Sequence, residues 1–128
     1  MEDIDFSDEF CAFVQASVPS VQAAELLVVL HNQPERWWDA PELVAQAGGL
    51  AEAEALRLLE LFKTRGLLAA GPDKRVQFRP ANPYIGAQAA KLAQAYLERP
   101  VTLIRMIYAL RDTRIRSFAD AFKLKRGK

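Results

Sequence analysis

One segment, VQAAELLVVLHN at Val21–Asn32, constrains the fold more than any other stretch of the chain. Read as a helix, it points Leu26, Leu27, Val28, Val29 and Leu30 to nearly every side. A helix with no polar face cannot lie on a surface, so other elements must surround it. Ser20 is placed to cap its first turn, and Pro34 ends it within Asn32–Arg36. With 51% apolar residues in 128, the chain has enough material for one real core.

The flanking segments supply those neighbours. Phe6, Phe10, Phe13 and Val14 recur at helical spacing before a break at Ser17–Ser20, which predicts a short amphipathic helix. After the central helix, Trp37-Trp38 fits a short strand. Asp39 then caps a second helix, with Pro41 in its first turn and Glu42 in the capping-box position. Gly48-Gly49 closes that helix. A third runs through LAEAEALRLLELFKTR and stops at Gly66. Strands at Leu67–Ala70 and Arg75–Arg79 then flank Gly71-Pro72-Asp73-Lys74, a turn-rich hairpin tip. Beyond Pro80 and Pro83 the pattern is helical: Tyr84–Glu98, Val101–Leu110, and a last short helix near Ser117–Lys125.

Three segments follow from this order. Residues 1–18 hold an acidic N-terminal helix, 19–80 a compact unit ending in the hairpin, and 81–128 the C-terminal helices with a basic tail. The fold class is mainly α with a small β-hairpin. Between Val21 and Arg79, the segments APELVAQAGG and ALRLLELFKTRGLL and the hairpin after them resemble the winged helix-turn-helix domains of small bacterial, MarR-like transcriptional regulators. The resemblance implies that the third helix enters a DNA major groove while the hairpin, the wing, lies on the backbone or minor groove.

The third helix is a poor match to that role. At about 100° per residue, Ala55, Leu58, Leu59 and Phe62 share the core face. The other face then carries Ala53, Glu54, Arg57, Glu60, Leu61, Thr64 and Arg65. Base reading wants Arg, Lys, Asn, Gln, Ser or Thr in the N-terminal half. Here that half offers acids, with Arg57 as the one candidate for base contact. Ala51 stands where a polar cap is preferred, while Glu52 and Glu54 suit the helix dipole. The wing fits better: Lys74, Arg75 and Arg79 can neutralise phosphates, although charged hairpin tips are also commonly just solvated. Positive potential joining Arg57, Lys63, Arg65 and the wing would favour DNA. An acidic or apolar patch, with Leu61 in it, would favour a protein partner.

The remaining residues exclude more than they suggest. Net charge is +1, which selects neither nucleic acid nor membrane. Acids gather in the first ten residues, from Glu2 to Glu9, and bases at the end, from Arg111 to Lys128. These ends can pair, or the tail can serve a polyanion. One cysteine, Cys11, allows no internal disulfide and fits a reducing cytoplasm. No secretory signal opens the chain, and no apolar run is long enough for membrane insertion. Cys11 with the lone His31 cannot assemble a closed zinc site. No phosphate loop, dinucleotide fingerprint or nucleophile elbow is present, so neither an enzyme nor a cofactor is expected. Trp37-Trp38 could stack a ligand, but core with one ring partly out is the stronger reading.

The C-terminal helices point to a homodimer. Gly86, Ala87, Ala89, Ala90, Ala93 and Ala95 form a small-residue surface, and the next helix is apolar on more than one side. Ile104 and Ile107 are the expected partner contacts. In the tail, Ile115, Phe118 and Phe122 stand at helical spacing among bases. Three roles compete for it: docking on its own or a partner's domain, a partner or membrane-surface motif, and a basic arm for DNA. The resulting expectation is a dimeric DNA-binding regulator. Its alternative is a winged-helix interaction module that has lost DNA reading.

Overall fold

The computed structural model describes residues 6–111. Six helices and one small sheet alternate along these residues. Helix α1 (Asp8–Ser17) is capped by Ser7, and α2 (Val21–Asn32) by Ser20, whose hydroxyl accepts from the Ala23 amide at 3.1 Å. Strand β1 (Trp37–Trp38) leads into α3 (Ala40–Ala47), then α4 (Glu52–Thr64), β2 (Leu68–Ala70) and β3 (Val76–Phe78). Helices α5 (Pro83–Glu98) and α6 (Pro100–Arg111) complete it. The fold is therefore mainly α with a small antiparallel sheet.

Helix α2 is central, as its composition requires. It packs on α3 and on α5, and Ala23, Ala24, Leu26, Leu27 and Leu30 are almost wholly buried. One continuous core joins Phe10 of α1, Phe62 of α4, Phe78 of β3, Leu92 of α5 and Leu103 of α6. The three sequence segments thus share a single interior. The last expected helix, with Phe118 and Phe122, lies outside the described residues, as do residues 1–5.

The caps are local and follow the sequence. Asp39 and Glu42 form the reciprocal capping box, each side chain accepting a backbone N–H at 3.0 Å. Ala51 gives α4 no side-chain cap. Gly66 turns the chain from α4 into β2 with φ at 79°, the left-handed region that L-residues avoid. A Cβ there would stand 3.2 Å from both Ala81 Cβ and Ile85 Cδ1. Its carbonyl accepts from the Ala81 amide at 2.8 Å, so the same residue ties the start of the hairpin to the approach to α5.

The sheet runs β1-β3-β2, all antiparallel, with β3 between its neighbours. Trp38 pairs with Val76 and Leu68 with Phe78. Both hairpin strands are shorter than expected, although the Arg79 amide still donates to the Leu67 carbonyl at 3.0 Å. The hairpin tip is a 3-10 turn at Pro72–Lys74. Gly71 before it admits no side chain, because a Cβ would collide with the Trp37 ring. No single helix among the described residues is long and apolar enough to cross a membrane.

Candidate nucleic-acid interface

The surface in question is built from α3, the turn after it, α4 and the β2–β3 hairpin. Ala55, Leu58, Leu59 and Phe62 are buried as expected, which fixes the rotation of α4. Arg57 is exposed, but Glu54 one turn earlier holds its guanidinium in an ion pair. Lys63 is likewise paired with Glu60 at 2.7 Å. Together with Glu52 and Arg65, these residues give α4 and its C-cap as many acids as bases. Two of the acids, Glu52 and Glu54, stand in the first turn, where a groove-entering helix would need donors.

Leu61, expected on the outer face, is only half-buried, whereas Leu56 is 47% exposed. The two leucines lie about equally far round the helix on opposite sides of the core face. Angle alone cannot tell them apart, and tertiary packing decides which one is covered. Leu56 is thus the apolar group that α4 offers to solvent.

The hairpin behaves differently from α4. Lys74 sits at the tip with φ at 62°, next to Asp73 at 58°. Two consecutive non-glycine residues in the left-handed region cost about 1 kcal/mol or more each. They hold Lys74 on the outermost point of the turn, exposed. Arg79 is exposed at the other end of β3, and Arg65 is exposed just before Gly66. Lys74, Arg79 and Arg65 form no ion pair among the described residues. Arg75, the third expected wing cation, is only partly exposed and stands 3.9 Å from Glu42.

Glu42 also lies 3.9 Å from Arg36, whose guanidinium covers the Trp38 ring at 3.7 Å from its centroid. One carboxylate therefore serves the α3 cap and faces two arginines. Arg36 was not anticipated at this surface, and only the tertiary fold brings it beside Glu42 and Arg75. Trp38 is fully buried and Trp37 half-buried, one ring in and one partly out. The buried indole N–H of Trp38 has no hydrogen-bond partner among the described residues.

The other singled-out groups are structural in their surroundings. The His31 ring meets Phe78 edge-on at 5.3 Å, and the Cys11 thiol lies 3.5 Å from the Met106 thioether. The Tyr96 hydroxyl donates to Glu25 at 3.4 Å, linking α5 to α2. Burial, the Glu25 charge and this hydrogen bond all hold the Tyr96 phenol above its ordinary pKa.

The expected dimer surface needs one correction. Ile107 is 1% exposed and belongs to the core of its own chain, with Leu103 and Met106. Ile104, three residues earlier and on the edge of that face, is half-buried. The apolar groups left in solvent are Tyr84 and Leu97 on α5, at 51% and 80%, and Val101 and Tyr108 on α6, at 62% and 65%. Of the small residues on α5, Ala89 and Ala95 are buried while Ala87 and Ala90 remain outside. No family model, curated protein or solved structure matches the chain.

Proposed function

We propose that this chain is a dimeric DNA-binding regulator of transcription that grips the duplex mainly through phosphate contacts from its β2–β3 hairpin. The observation that carries this reading is the contrast in charge pairing. Lys74 and Arg79 are exposed at the two ends of the hairpin and make no ion pair among the described residues, while Arg57 and Lys63 of α4 are neutralised by their own helix. The element order from α2 to β3 supports the arrangement, since it is the order in which a winged helix-turn-helix sets its wing beside a groove-facing helix. Arg65 adds a third cation at the foot of the hairpin. On this reading affinity comes from phosphates and sequence preference is weak, with Arg57 the base-contacting group once it leaves Glu54.

The second copy would pair through the outer face of α5. Ala87, Ala90 and Leu97 share that face, within about 80° of one another round the helix. An antiparallel crossing about Ala90 places small side chains where the backbones approach, with Leu97 of each chain toward the two ends of the contact. The test of the DNA reading is charge reversal. Lys74→Glu with Arg79→Glu should weaken binding to every duplex sequence alike and flatten its salt dependence. Unchanged affinity and slope would overturn the wing's role.

A second reading has its own observation. Glu52 and Glu60, four residues either side, flank the exposed Leu56, a surface suited to a protein partner with a basic rim and one apolar pocket. A chain that binds no duplex at low salt would leave that reading in place.

A further inference from the structure

Helix α6 has two apolar faces, and among the described residues only one has a partner. Leu103, Met106 and Ile107 are buried, and α6 packs on α1 and α5. Val101, Ile104 and Tyr108 fall at i, i+3 and i+7 on another stripe, with Arg105 beside them. Val101 and Tyr108 are more than half exposed, so the stripe lies open along most of the helix. The chain continues directly from its end, at Arg111, into residues 112–128.

We propose that this stripe is the docking site of the chain's own C-terminal segment, with Phe118 and Phe122 folded back antiparallel over Val101, Ile104 and Tyr108. Three features favour this occupant. The first is reach: residues 112–117, up to the Ser117 cap, are a connection of ordinary length for two antiparallel helices. The eight residues from Phe118 to Lys125 would span roughly 12 Å as a helix, against about 10 Å from Val101 to Tyr108. The second is charge. Arg105 is the cation of the stripe, and Asp120 lies between the two phenylalanines. The run Lys123–Arg126 would then reach the start of α6, where Glu98 is exposed.

The third feature is what a second copy would meet. Two α6 stripes crossing antiparallel set Arg105 against its own image, with no acid in the stripe to separate them. Three apolar side chains also cover far less than the roughly 1,000 Å² that a stable interface between separate chains requires. A tethered segment needs less, because the linker holds it at millimolar effective concentration or above. The proposal stands independently of DNA binding and of the α5 dimer face.

Hydrogen exchange of the full chain, resolved by mass spectrometry into peptides over 101–111 and 117–126, tests it. The expected result is protection of 117–126 by about tenfold or more over an unstructured segment, independent of protein concentration. Val101→Asp and Tyr108→Asp, each at an exposed site, should abolish that protection while leaving α1–α5 unchanged. An unprotected 117–126 in the parent chain would overturn the proposal, as would protection that survives both substitutions. Protection lost on dilution together with a fall in mass by light scattering would also overturn it and assign the stripe to a second copy.

Discussion

Replacing Gly66 by alanine tests how the hairpin is attached to the rest of the molecule. The residue has φ at 79°, and an added methyl would stand 3.2 Å from Ala81 Cβ and Ile85 Cδ1. The left-handed backbone costs an L-residue about 1–2 kcal/mol. Contacts that tight force neighbours aside, and overpacking adds about 1 kcal/mol at the low end of its range. Alanine also stiffens the unfolded chain, which returns roughly 0.5 kcal/mol. The net loss is about 2 kcal/mol, or a fall in melting temperature of roughly 6–12 °C for a domain of this size. Gly49→Ala is the matched control, because φ there is 59° but nothing lies within 4 Å of the added Cβ. It should lose only the backbone part, about half as much. Thermal unfolding by circular dichroism compares the two. Equal losses would refute the steric part of the argument, and an undiminished melting temperature for Gly66→Ala would refute both parts.

Three further outcomes follow from the same structure. Ile107→Glu should unfold the chain rather than dissociate it, since the position is 1% exposed and an unpaired buried charge costs several kcal/mol; a folded monomer by light scattering and circular dichroism would contradict this. Leu97→Glu should instead give a folded monomer, because Leu97 is 80% exposed in a single chain; a dimer of unchanged stability would remove the α5 face as the interface. Tyr96 has a phenol pKa raised by burial and by Glu25, so its contribution to stability is complete below about pH 10 and is lost as pH climbs through the folded value. Tyr96→Phe should therefore flatten the alkaline part of a urea-midpoint profile, and an unaltered alkaline slope would show that the buried Tyr96 phenol does not contribute.

The features that the chain dictates locally were legible from its letters. Asp39 and Glu42 specify a capping box three residues apart, Gly48 and Gly66 stop their helices, and the all-round apolar α2 must be central. Each of these depends only on neighbours within a turn or two. Side chains whose fate depends on distant partners were harder to read. Leu56 and Leu61 flank the core face symmetrically, so only tertiary packing could show which is exposed. Ile107 differs from Ile104 by less than one turn, and α6 is apolar on both sides, so its rotation was open until α1 and α5 fixed it. The Arg36–Glu42–Arg75 cluster joins a loop, a helix and the hairpin tip, and no spacing rule brings those three together. The Glu54–Arg57 and Glu60–Lys63 pairs are the reverse case. They lie at i, i+3 and could have been read as self-neutralisation from the start.

On the proposed function the hairpin, not α4, would supply affinity for DNA. The most direct test is the salt dependence of binding to a labelled random-sequence duplex by the full chain. On that reading Lys74, Arg79 and Arg65 would supply up to three phosphate contacts per protomer. A dimer should then show a slope of about −5 in a plot of log affinity against log salt, a loss of roughly a thousandfold between 50 and 200 mM. Reversal of Lys74 and Arg79 together should reduce the slope to about −2. A folded chain that does not bind the duplex at low salt, or one whose slope is indifferent to Lys74 and Arg79, would contradict the account.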